Sequence, residues 1–203
     1  MSDSTMRDEN RKPRHEAIVR AAYALLAEKG YSGASMLSIA RAAKASNETL
    51  YRWYGDKRGL FEAMVRDNAA EIKTVLEAAA TADDPAEALR QFAPVFLTMI
   101  LGERAILLNR AAASDPTGEL GAAISAGGRN EIQPLIETLV ARLRAPGDPP
   151  AADMTGWLIG LLVGDLQIRR VIGVMPPLSS AAVAARCDTA IETFMTLLRV
   201  SPK

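Results

Sequence analysis

Apolar and small side chains between residues 35 and 57 recur at the spacing of two short α-helices joined by a tight turn. Four of them follow one another at i, i+3, i+4 and i+7, which puts them on one face of the first helix: Met36, Ile39, Ala40 and Ala43. Ser35 stands where an N-cap is expected. Residues 44–46 then interrupt the pattern, and the last of them, Ser46, offers a second N-cap. The pattern therefore predicts one helix on each side of this turn.

The second helix, over residues 47–54, has an apolar side and a polar side. At about 100° per residue, Leu50, Trp53 and Tyr54 fall together and are expected to pack inward. The opposite side carries Glu48 and Arg52, flanked by Thr49 and Tyr51. So short a helix needs a neighbour because helix nucleation is costly. Two helices across a short turn, the second presenting polar, aromatic and basic groups, form a helix-turn-helix.

The remaining sequence also has helical periodicity and no strand pattern. Further helices are predicted at residues 13–29, 57–81, 85–101, 103–113, 118–143, 151–173 and 178–199. Gly30 is placed to end the first of them as a C′ glycine, and Gly127-Gly128 is a candidate break within residues 118–143. The sequence thus predicts an all-α fold of about nine helices. Residues 1–12 are polar and unpatterned, so a disordered arm is expected there.

A specific motif covers the helix pair and the residues that follow it. It reads S-I-A-R-A-A-K-A-S at 38–46 and T-L-Y-R-W-Y-G-D-K-R-G-L-F at 49–61. The motif resembles the DNA-binding domain of the TetR-type family of transcriptional regulators. This resemblance implies a three-helix DNA-binding domain at residues 13–60 and a ligand-binding and dimerisation domain at residues 61–203. It further implies a homodimer on a palindromic operator, a repressor in preference to an activator, released by a small-molecule effector and needing no cofactor.

Eight side chains are candidates for contacts with DNA: Ser35, Ser38, Asn47, Glu48, Thr49, Tyr51, Arg52 and Lys57. The resemblance implies that Thr49, Tyr51 and Lys57 mainly bind phosphates, which position a protein on the duplex. The two serines of the preceding helix can reach the same backbone. Arg52 projects farthest from the packed side and suits the O6 and N7 atoms of guanine, whereas Asn47 suits adenine. The alternative at each position is a solvated surface residue.

Three positions depart from the pattern of the resembled family. Lys44 stands where a turn glycine is usual, and a left-handed backbone costs a residue with a Cβ about 1 kcal/mol. Glu48 stands where a small residue is common; its carboxylate repels phosphates but can accept a hydrogen bond from N4 of cytosine. Leu37 replaces a polar or basic residue and touches either a thymine methyl or only the neighbouring helix. The operator sequence therefore does not transfer from the family.

The formal charges of the chain sum to zero but are unevenly distributed. Residues 1–60 carry 11 Lys and Arg against 7 Asp and Glu, whereas residues 61–203 carry 13 against 17. A basic N-terminal part on an acidic body fits a DNA-binding domain joined to a part that stays off DNA. Four residues in or near the arm suit phosphate or minor-groove contacts, the alternative being a frayed tail: Arg7, Arg11, Lys12 and Arg14.

The few cysteine and histidine residues, and the lack of a signal peptide or a membrane-spanning segment, limit the classes of protein to which the chain could belong. Cys187 is the single cysteine, residues 1–10 lack the apolar core of a signal peptide, and residues 154–164 are too short to span a bilayer. A cytoplasmic protein without membrane contact is therefore expected. His15 is the only histidine, so no catalytic or metal-binding residues are assigned. The rivals are an enzyme that uses carboxylates, an all-helical protein-interaction module, and an activator without a small-molecule effector.

The last two predicted helices carry apolar stripes. These are Trp157, Leu158, Leu161 and Leu162 on the first, and Val183, Cys187, Ile191, Phe194 and Leu198 on the second. Gly156, Gly160 and Gly164 repeat every four residues and allow another helix to approach closely. The stripes pack against their own chain or, as the resemblance implies, against their copies in a second subunit through helices 151–173 and 178–199. Two recognition helices on a two-fold operator favour the dimer.

A ligand pocket among the helices between residues 61 and 173 is implied by the resemblance. The candidate lining residues are Phe92, Phe96, Met99, Leu107, Asn109, Arg110, Trp157 and Asp165. A plain core would contain the same aromatic and methionine side chains at helical spacing. Asn109, Arg110 and Asp165 are polar groups within apolar stretches, so they are better placed to orient a ligand. Nothing in the sequence identifies that ligand.

Overall fold

The described chain is helical throughout and contains no strand. The computed structural model describes the backbone of residues 3–200 and the side chains of residues 11–199. Its helices are α1 (Asp3–Gly33), α2 (Met36–Ala42), α3 (Asn47–Tyr54), α4 (Lys57–Ala79), α5 (Pro85–Leu101), α6 (Glu103–Ala113), α7 (Glu119–Ile124), α8 (Asn130–Ala141), α9 (Ala151–Val163), α10 (Leu166–Val171) and α11 (Ser180–Val200). A π-helical turn, Ser125–Arg129, joins α7 to α8. The all-α prediction is confirmed.

Two breaks account for the difference from the nine predicted helices. The π turn divides residues 118–143 where Gly127 is buried; a Cβ on this residue would lie 2.6 Å from the carbonyl oxygen of Glu62. No side chain fits there, so glycine is what allows the turn to lie against α4. Residues 151–173 are divided after α9, where Gly164 has a φ of 49°. Glycine adopts that left-handed conformation without a steric cost.

The N-terminal segment is helical where the sequence predicts a disordered arm. Helix α1 begins at Asp3 and runs through Pro13, so residues 3–12 belong to it. Residues 1 and 2 of the predicted arm lie outside the described residues, as do the side chains of residues 3–10, including Arg7. Polar composition does not exclude a helix, because Met, Arg, Lys and Glu have high helix propensity. Gly30 interrupts α1 with a φ of 67°, at the position predicted to end this helix.

The chain forms two compact units whose limits differ from the predicted division after residue 60. The first contains the residues up to Val65 together with 107–127, and the second contains 66–106 together with the residues from 128 onward. Leu108 and Leu120 belong to the first unit because they are buried in the same core as Phe61. Periodicity identifies an apolar helix face but not the core that covers it.

Three arginines of the second unit donate hydrogen bonds to carbonyl groups at the C-terminal ends of helices. The last carbonyls of a helix have no partner within it, and a cation there is favoured by the helix dipole. The guanidinium groups donate to such carbonyls: Arg142 to Ala79 at 2.8 Å, Arg170 to Leu101 at 3.3 Å and Arg186 to Leu162 at 3.0 Å. The ends of α4, α5 and α9 are thereby satisfied by side chains distant in sequence.

No single helix among the described residues is long and apolar enough to cross a bilayer. Helices α5 and α6 meet that requirement only when they are taken together, and they form a bent pair. Helix α9 is apolar but shorter.

Candidate nucleic-acid interface

The first unit holds α2 and α3 on a shared apolar core. Leu50 of α3 and Ile39 of α2 are fully buried, together with Ile18 of α1. Ser35 caps α2 reciprocally: its Oγ accepts from the amide of Ser38 at 3.1 Å, and the Ser38 Oγ accepts from the amide of Ser35 at 3.0 Å. The predicted N-cap at Ser35 is confirmed, and the cap occupies the hydroxyls of two DNA-contact candidates.

The turn between α2 and α3 contains a residue in a left-handed conformation. Lys44 has a φ of 51°, and it is the one non-glycine residue with a positive φ in the described part of the chain. The backbone at this turn position is therefore left-handed although the residue carries a Cβ. A Cβ costs about 1–2 kcal/mol in that conformation.

Replacing Lys44 by glycine is expected to raise the free energy of unfolding by about 0.5 kcal/mol. Relief of the left-handed strain exceeds the extra entropy that glycine gives the unfolded chain. Ala42→Gly, two residues earlier in α2, is the matched control and should lower the free energy by about 1 kcal/mol, because glycine is a poor helix former. Urea unfolding of both variants measures the contrast. A loss of stability in Lys44→Gly as large as in the control would contradict strain at Lys44.

Helix α3 presents its polar side to solvent. Tyr51 is 50% exposed, and Leu37 of α2 is 47% exposed, so the neighbouring helix does not cover it. The other exposed side chains of this side are Asn47, Glu48 and Arg52. Because Leu50 is buried on the opposite side, the predicted division of α3 into an inward and an outward side is confirmed.

Thr49 does not share that exposed side. It is only 8% exposed, and its hydroxyl lies 2.7 Å from the hydroxyl of Ser46. The amide of Thr49 also donates to the Ser46 Oγ at 3.1 Å, which confirms Ser46 as the N-cap of α3. The helical wheel places Thr49 beside the outward side, but the cap draws its hydroxyl inward. A phosphate contact by Thr49 stays a prediction. For that contact the Thr49 hydroxyl must bind the phosphate as well as the Ser46 hydroxyl, or leave the Ser46 hydroxyl.

The inward aromatic residues of α3 contact residues 11–15 of α1. Trp53 and Tyr54 are half-buried, and the guanidinium carbon of Arg11 lies 5.5 Å from the centre of the Trp53 ring. His15 Nδ1 lies 2.7 Å from the Tyr54 hydroxyl. These four residues and Lys12 line an open cleft of about 300 Å³. The basic segment at residues 11–15 of α1 therefore lies beside α3, a juxtaposition that no sequence pattern indicated because 39 residues separate His15 from Tyr54.

The junction between α3 and α4 is tight. Gly55 ends α3 with a φ of 78°, and the Asp56 Oδ1 accepts from the amide of Gly59 at 2.7 Å, as expected for an N-cap. A Cβ on Gly59 would lie 2.1 Å from the carbonyl oxygen of Tyr54. The orientation of α3 is therefore tied to the start of α4 by a backbone contact that only glycine permits.

Lys57 folds back onto α1 instead of extending from the first turn of α4. Its Nζ donates to the carbonyl oxygen of Tyr31 and lies 3.7 Å from the centre of the Tyr31 ring. Burial lowers the pKa of Lys57, and the carboxylates of Glu119 and Asp115 oppose that shift. The sequence did not indicate this contact, because Tyr31 lies 26 residues earlier in the chain. The phosphate contact of Lys57 stays a prediction.

The eight candidate ligand residues lie in different surroundings. Three are buried in, or pack on, the core of the second unit: Phe92, Phe96 and Met99. Three belong to the first unit: Leu107, Asn109 and Arg110. Two lie on the surface of the second unit: Trp157 and Asp165. Within the second unit, the structure therefore separates the aromatic core residues from the two surface candidates.

Helix α11 directs its apolar stripe into the core of its own chain. The buried members of the stripe are Val183, Cys187, Ile191 and Phe194. Burial raises the pKa of the Cys187 thiol to about 11, so this thiol is not a reactive thiolate at neutral pH. Of the two arrangements that the sequence left open, packing against the body of the same chain describes this stripe.

Helix α9 has one buried side and one open side. Leu158 and Leu162 are fully buried, whereas Trp157 is 40% exposed. A Cβ on Gly156 or Gly160 would meet no atom within 4 Å. Gly156 and Gly160 therefore lie on a surface that the chain itself leaves uncovered, next to the exposed tryptophan, whereas a Cβ on Gly164 would lie 3.0 Å from the Arg186 side chain.

Residues 18–64 match the family model described as bacterial regulatory proteins, tetR family. These residues include α2, α3 and the first turns of α4, which form the two-sided helix pair described above. These residues are therefore similar to the tetR family of regulatory proteins. The likeness to curated HTH-type transcriptional regulators extends over 21–38% of this chain. The HTH-type transcriptional regulator YdeS of Bacillus subtilis is 46% identical over 43 residues, which are 21% of this chain and 22% of that protein.

Solved structures match this chain over most of its length. A TetR transcriptional regulator from Agrobacterium tumefaciens is 29% identical with a TM-score of 0.70, covering 91% of this chain and 94% of that one. A TetR-family regulator from Mesorhizobium loti is 24% identical with a TM-score of 0.72, covering 92% and 96%. The matches to the first curated relatives span only 22–40% of those proteins. Similarity outside the helix-turn-helix is therefore mainly a similarity of fold.

Proposed function

We propose that this chain is a TetR-family regulator of transcription, a homodimer that inserts α3 of each subunit into the major groove of an operator. The exposure of Tyr51 and Arg52 beside Asn47 carries this proposal. A basic, an aromatic and an amide side chain on one side of a short helix are the groups that bind phosphates and base edges. Leu50 anchors the opposite side of that helix in the core.

The exposed groups divide into positioning and reading roles. The Tyr51 hydroxyl binds a phosphate, as the Lys57 ammonium also does. Arg52 binds O6 and N7 of guanine, and Asn47 binds adenine. Glu48 accepts from N4 of cytosine, which gives this chain a base preference of its own.

Selection of bound fragments from the source genome tests the function directly. The expected result is enrichment of a two-fold symmetric site whose half-sites lie in successive major grooves on one face of the duplex. Binding to genomic fragments no tighter than to heparin, an inert polyanion, would overturn the proposal. A matching symmetric site upstream of a gene would also give the regulated target, and its position relative to the promoter would distinguish repression, which we favour, from activation.

Lys57→Ala is expected to flatten the salt dependence of operator binding. Each lysine that neutralises a phosphate releases counterions, so loss of one per subunit changes the slope of log K against log salt by roughly 2 in a dimer. Lys73→Ala, in the same helix but paired with Glu131 in the second unit, is the control and should leave the slope unchanged. Fluorescence anisotropy at several salt concentrations measures both. Equal slopes for both variants would remove Lys57 from the phosphate contacts.

The proposed dimer uses the open sides of α9 and α11, because the buried members of their apolar stripes pack in the chain's own core. Gly156 and Gly160 leave room for a second helix, and Trp157 provides apolar area beside them. The exposed side of α11 carries small residues that also permit close approach: Ala181, Ala185, Thr189 and Thr193.

The double variant Gly156→Ala/Gly160→Ala is expected to weaken dimerisation roughly tenfold or more, because added methyl groups prevent close helix packing. The isolated subunit should not be harmed, since alanine is the better helix former and its Cβ meets no atom of the same chain. Sedimentation equilibrium measures the monomer–dimer constant. Gly121→Ala, in α7 with equally open space, is the control. An unchanged dimer constant would place the interface elsewhere.

A small-molecule effector is proposed to release the operator. FadR from Bacillus subtilis, which shares the fold at 13% identity and a TM-score of 0.67, was crystallised with stearoyl-CoA. Within the second unit, Thr155 of α9 is buried and its Oγ1 has no hydrogen-bond partner among the described residues, so it joins Phe92 and Phe96 as a candidate contact. Operator affinity measured with and without a compound tests each candidate effector; equal affinities exclude that compound.

A further inference from the structure

Lys57 occupies an inward position that competes with a phosphate contact. Its ammonium donates to the Tyr31 carbonyl and lies against the Tyr31 ring. One face of this cation is therefore satisfied within the protein. To bind a phosphate with its full charge and its three donors, the side chain must give up these partners or share them. The more stable the contacts of Lys57 with Tyr31 are, the less Lys57 therefore contributes to DNA binding.

Tyr31 links this position to the start of α7. The residue is buried, its ring stands edge-on to Phe61 with ring centres 5.1 Å apart, and its hydroxyl donates to the Glu119 Oε2 at 3.2 Å. Burial first, and then the Glu119 carboxylate, raise the pKa of Tyr31, so the hydroxyl remains a donor. The ring that contacts Lys57 is thus held by an acidic residue 88 positions later in the chain.

The segment before α7 is held in a fixed turn by Asp115. One carboxylate oxygen of Asp115 accepts from the amide and the hydroxyl of Thr117 at 3.1 and 2.7 Å, and the other accepts from the amide of Leu120 at 3.1 Å. The Leu120 amide is the main cause that lowers the pKa of Asp115. Asp115 therefore remains a carboxylate near neutral pH, and both Asp115 and Glu119 attract the half-buried Lys57.

We propose that Tyr31 and Glu119 are positioning residues that hold Lys57 inward, so that the acidic turn at residues 115–119 sets how readily Lys57 reaches an operator phosphate. The inference rests on the proposed function. A cation half-buried against an aromatic ring is stable only if neighbouring charges compensate its lost hydration. Glu119 supplies part of that compensation and Tyr31 holds its carboxylate in place. A shift of the turn would change how much Lys57 contributes to operator affinity, while the base-reading residues of α3 keep their positions.

A double-mutant cycle of Glu119→Gln and Lys57→Gln tests the inference. The probe is a labelled duplex recovered by the genomic selection, and the readout is its affinity. Glu119→Gln alone is expected to raise affinity by roughly three- to tenfold, because the inward position loses its compensating charge. In the Lys57→Gln background it should have little effect. A gain of equal size in both backgrounds would show a general charge effect and overturn the inference, and so would no gain in either.

Tyr31→Phe provides a second variant that keeps the ring packed on Phe61 and removes only the hydroxyl that donates to Glu119. It is expected to change affinity in the same direction as Glu119→Gln, again only when Lys57 is present. Thermal unfolding followed by circular dichroism accompanies each variant, and similar midpoints separate positioning from loss of fold. If the wild-type protein recovers no duplex, the proposed function fails and the inference with it. If it binds a duplex but the cycle shows no coupling, the inference alone fails.

Discussion

Replacing Gly59 by alanine is expected to destabilise the first unit by about 3 kcal/mol, since overpacking against rigid atoms costs this much or more. The added Cβ would lie 2.1 Å from the carbonyl oxygen of Tyr54 and 3.2 Å from its carbonyl carbon. These are backbone atoms, so no side-chain rotation relieves the clash. Either the end of α3 or the beginning of α4 must shift. Because α3 carries the proposed reading residues, operator affinity should fall by more than tenfold as well.

Gly121→Ala is the matched control for this prediction. Gly121 lies in α7 of the same unit, and a Cβ there would meet no atom within 4 Å. The same chemical change should therefore leave stability unchanged or raise it by up to about 1 kcal/mol, because alanine is the better helix former. Urea unfolding and operator binding of both variants provide the comparison. Similar unfolding midpoints for the two would mean that the α3–α4 junction tolerates a Cβ.

The sequence predicted α2 and α3 well because their signals are local. The apolar face through Ile39 and Leu50, and the N-caps Ser35 and Ser46, depend only on residues three or four positions apart. The requirement for glycine at position 59 could not be predicted, because it arises from how closely the start of α4 approaches the end of α3.

The candidate site was predicted less completely than the helices that carry it. A helical wheel gives the direction of a Cα–Cβ bond but not the partner that a long or polar side chain selects. Thr49 bonds to the hydroxyl of Ser46, and Lys57 folds onto Tyr31. Ser46 and the Tyr31 carbonyl each provide a hydrogen-bond partner for a polar side chain at the surface of a packed core. Only the assembled fold brings Lys57 and Tyr31 together.

Sequence patterns were least informative in the second unit, where helices are apolar on more than one side. Trp157 and Leu158 are neighbours of similar hydrophobicity, yet the first is exposed and the second is fully buried. The chain's own core covers the α11 stripe that includes Cys187. Hydrophobicity identifies surfaces that avoid water, but it does not distinguish burial within the chain from burial against a partner.

Arg170→Met is expected to lower the free energy of unfolding by about 3 kcal/mol, since buried acceptors left without donors are costly. Arg170 is buried, and its guanidinium donates to the carbonyls of Leu101 and Met175, both at 3.3 Å. Methionine fills a similar volume but donates no hydrogen bond. The ion pair with Glu103 at 2.5 Å contributes less to the loss, because that carboxylate is 79% exposed and water replaces its partner.

Arg169→Met supplies a control one residue away on α10. Arg169 is exposed, and its guanidinium pairs with Asp165, a still more exposed carboxylate 3.9 Å away. Such a pair contributes at most about 0.5 kcal/mol in water, so the control should unfold at nearly the wild-type urea concentration. The two variants remove the same charge from adjacent positions, and only the one at 170 removes hydrogen bonds from the end of α5. Equal losses in both variants would mean that net charge, and not the capping of α5, determines the stability that this arginine provides.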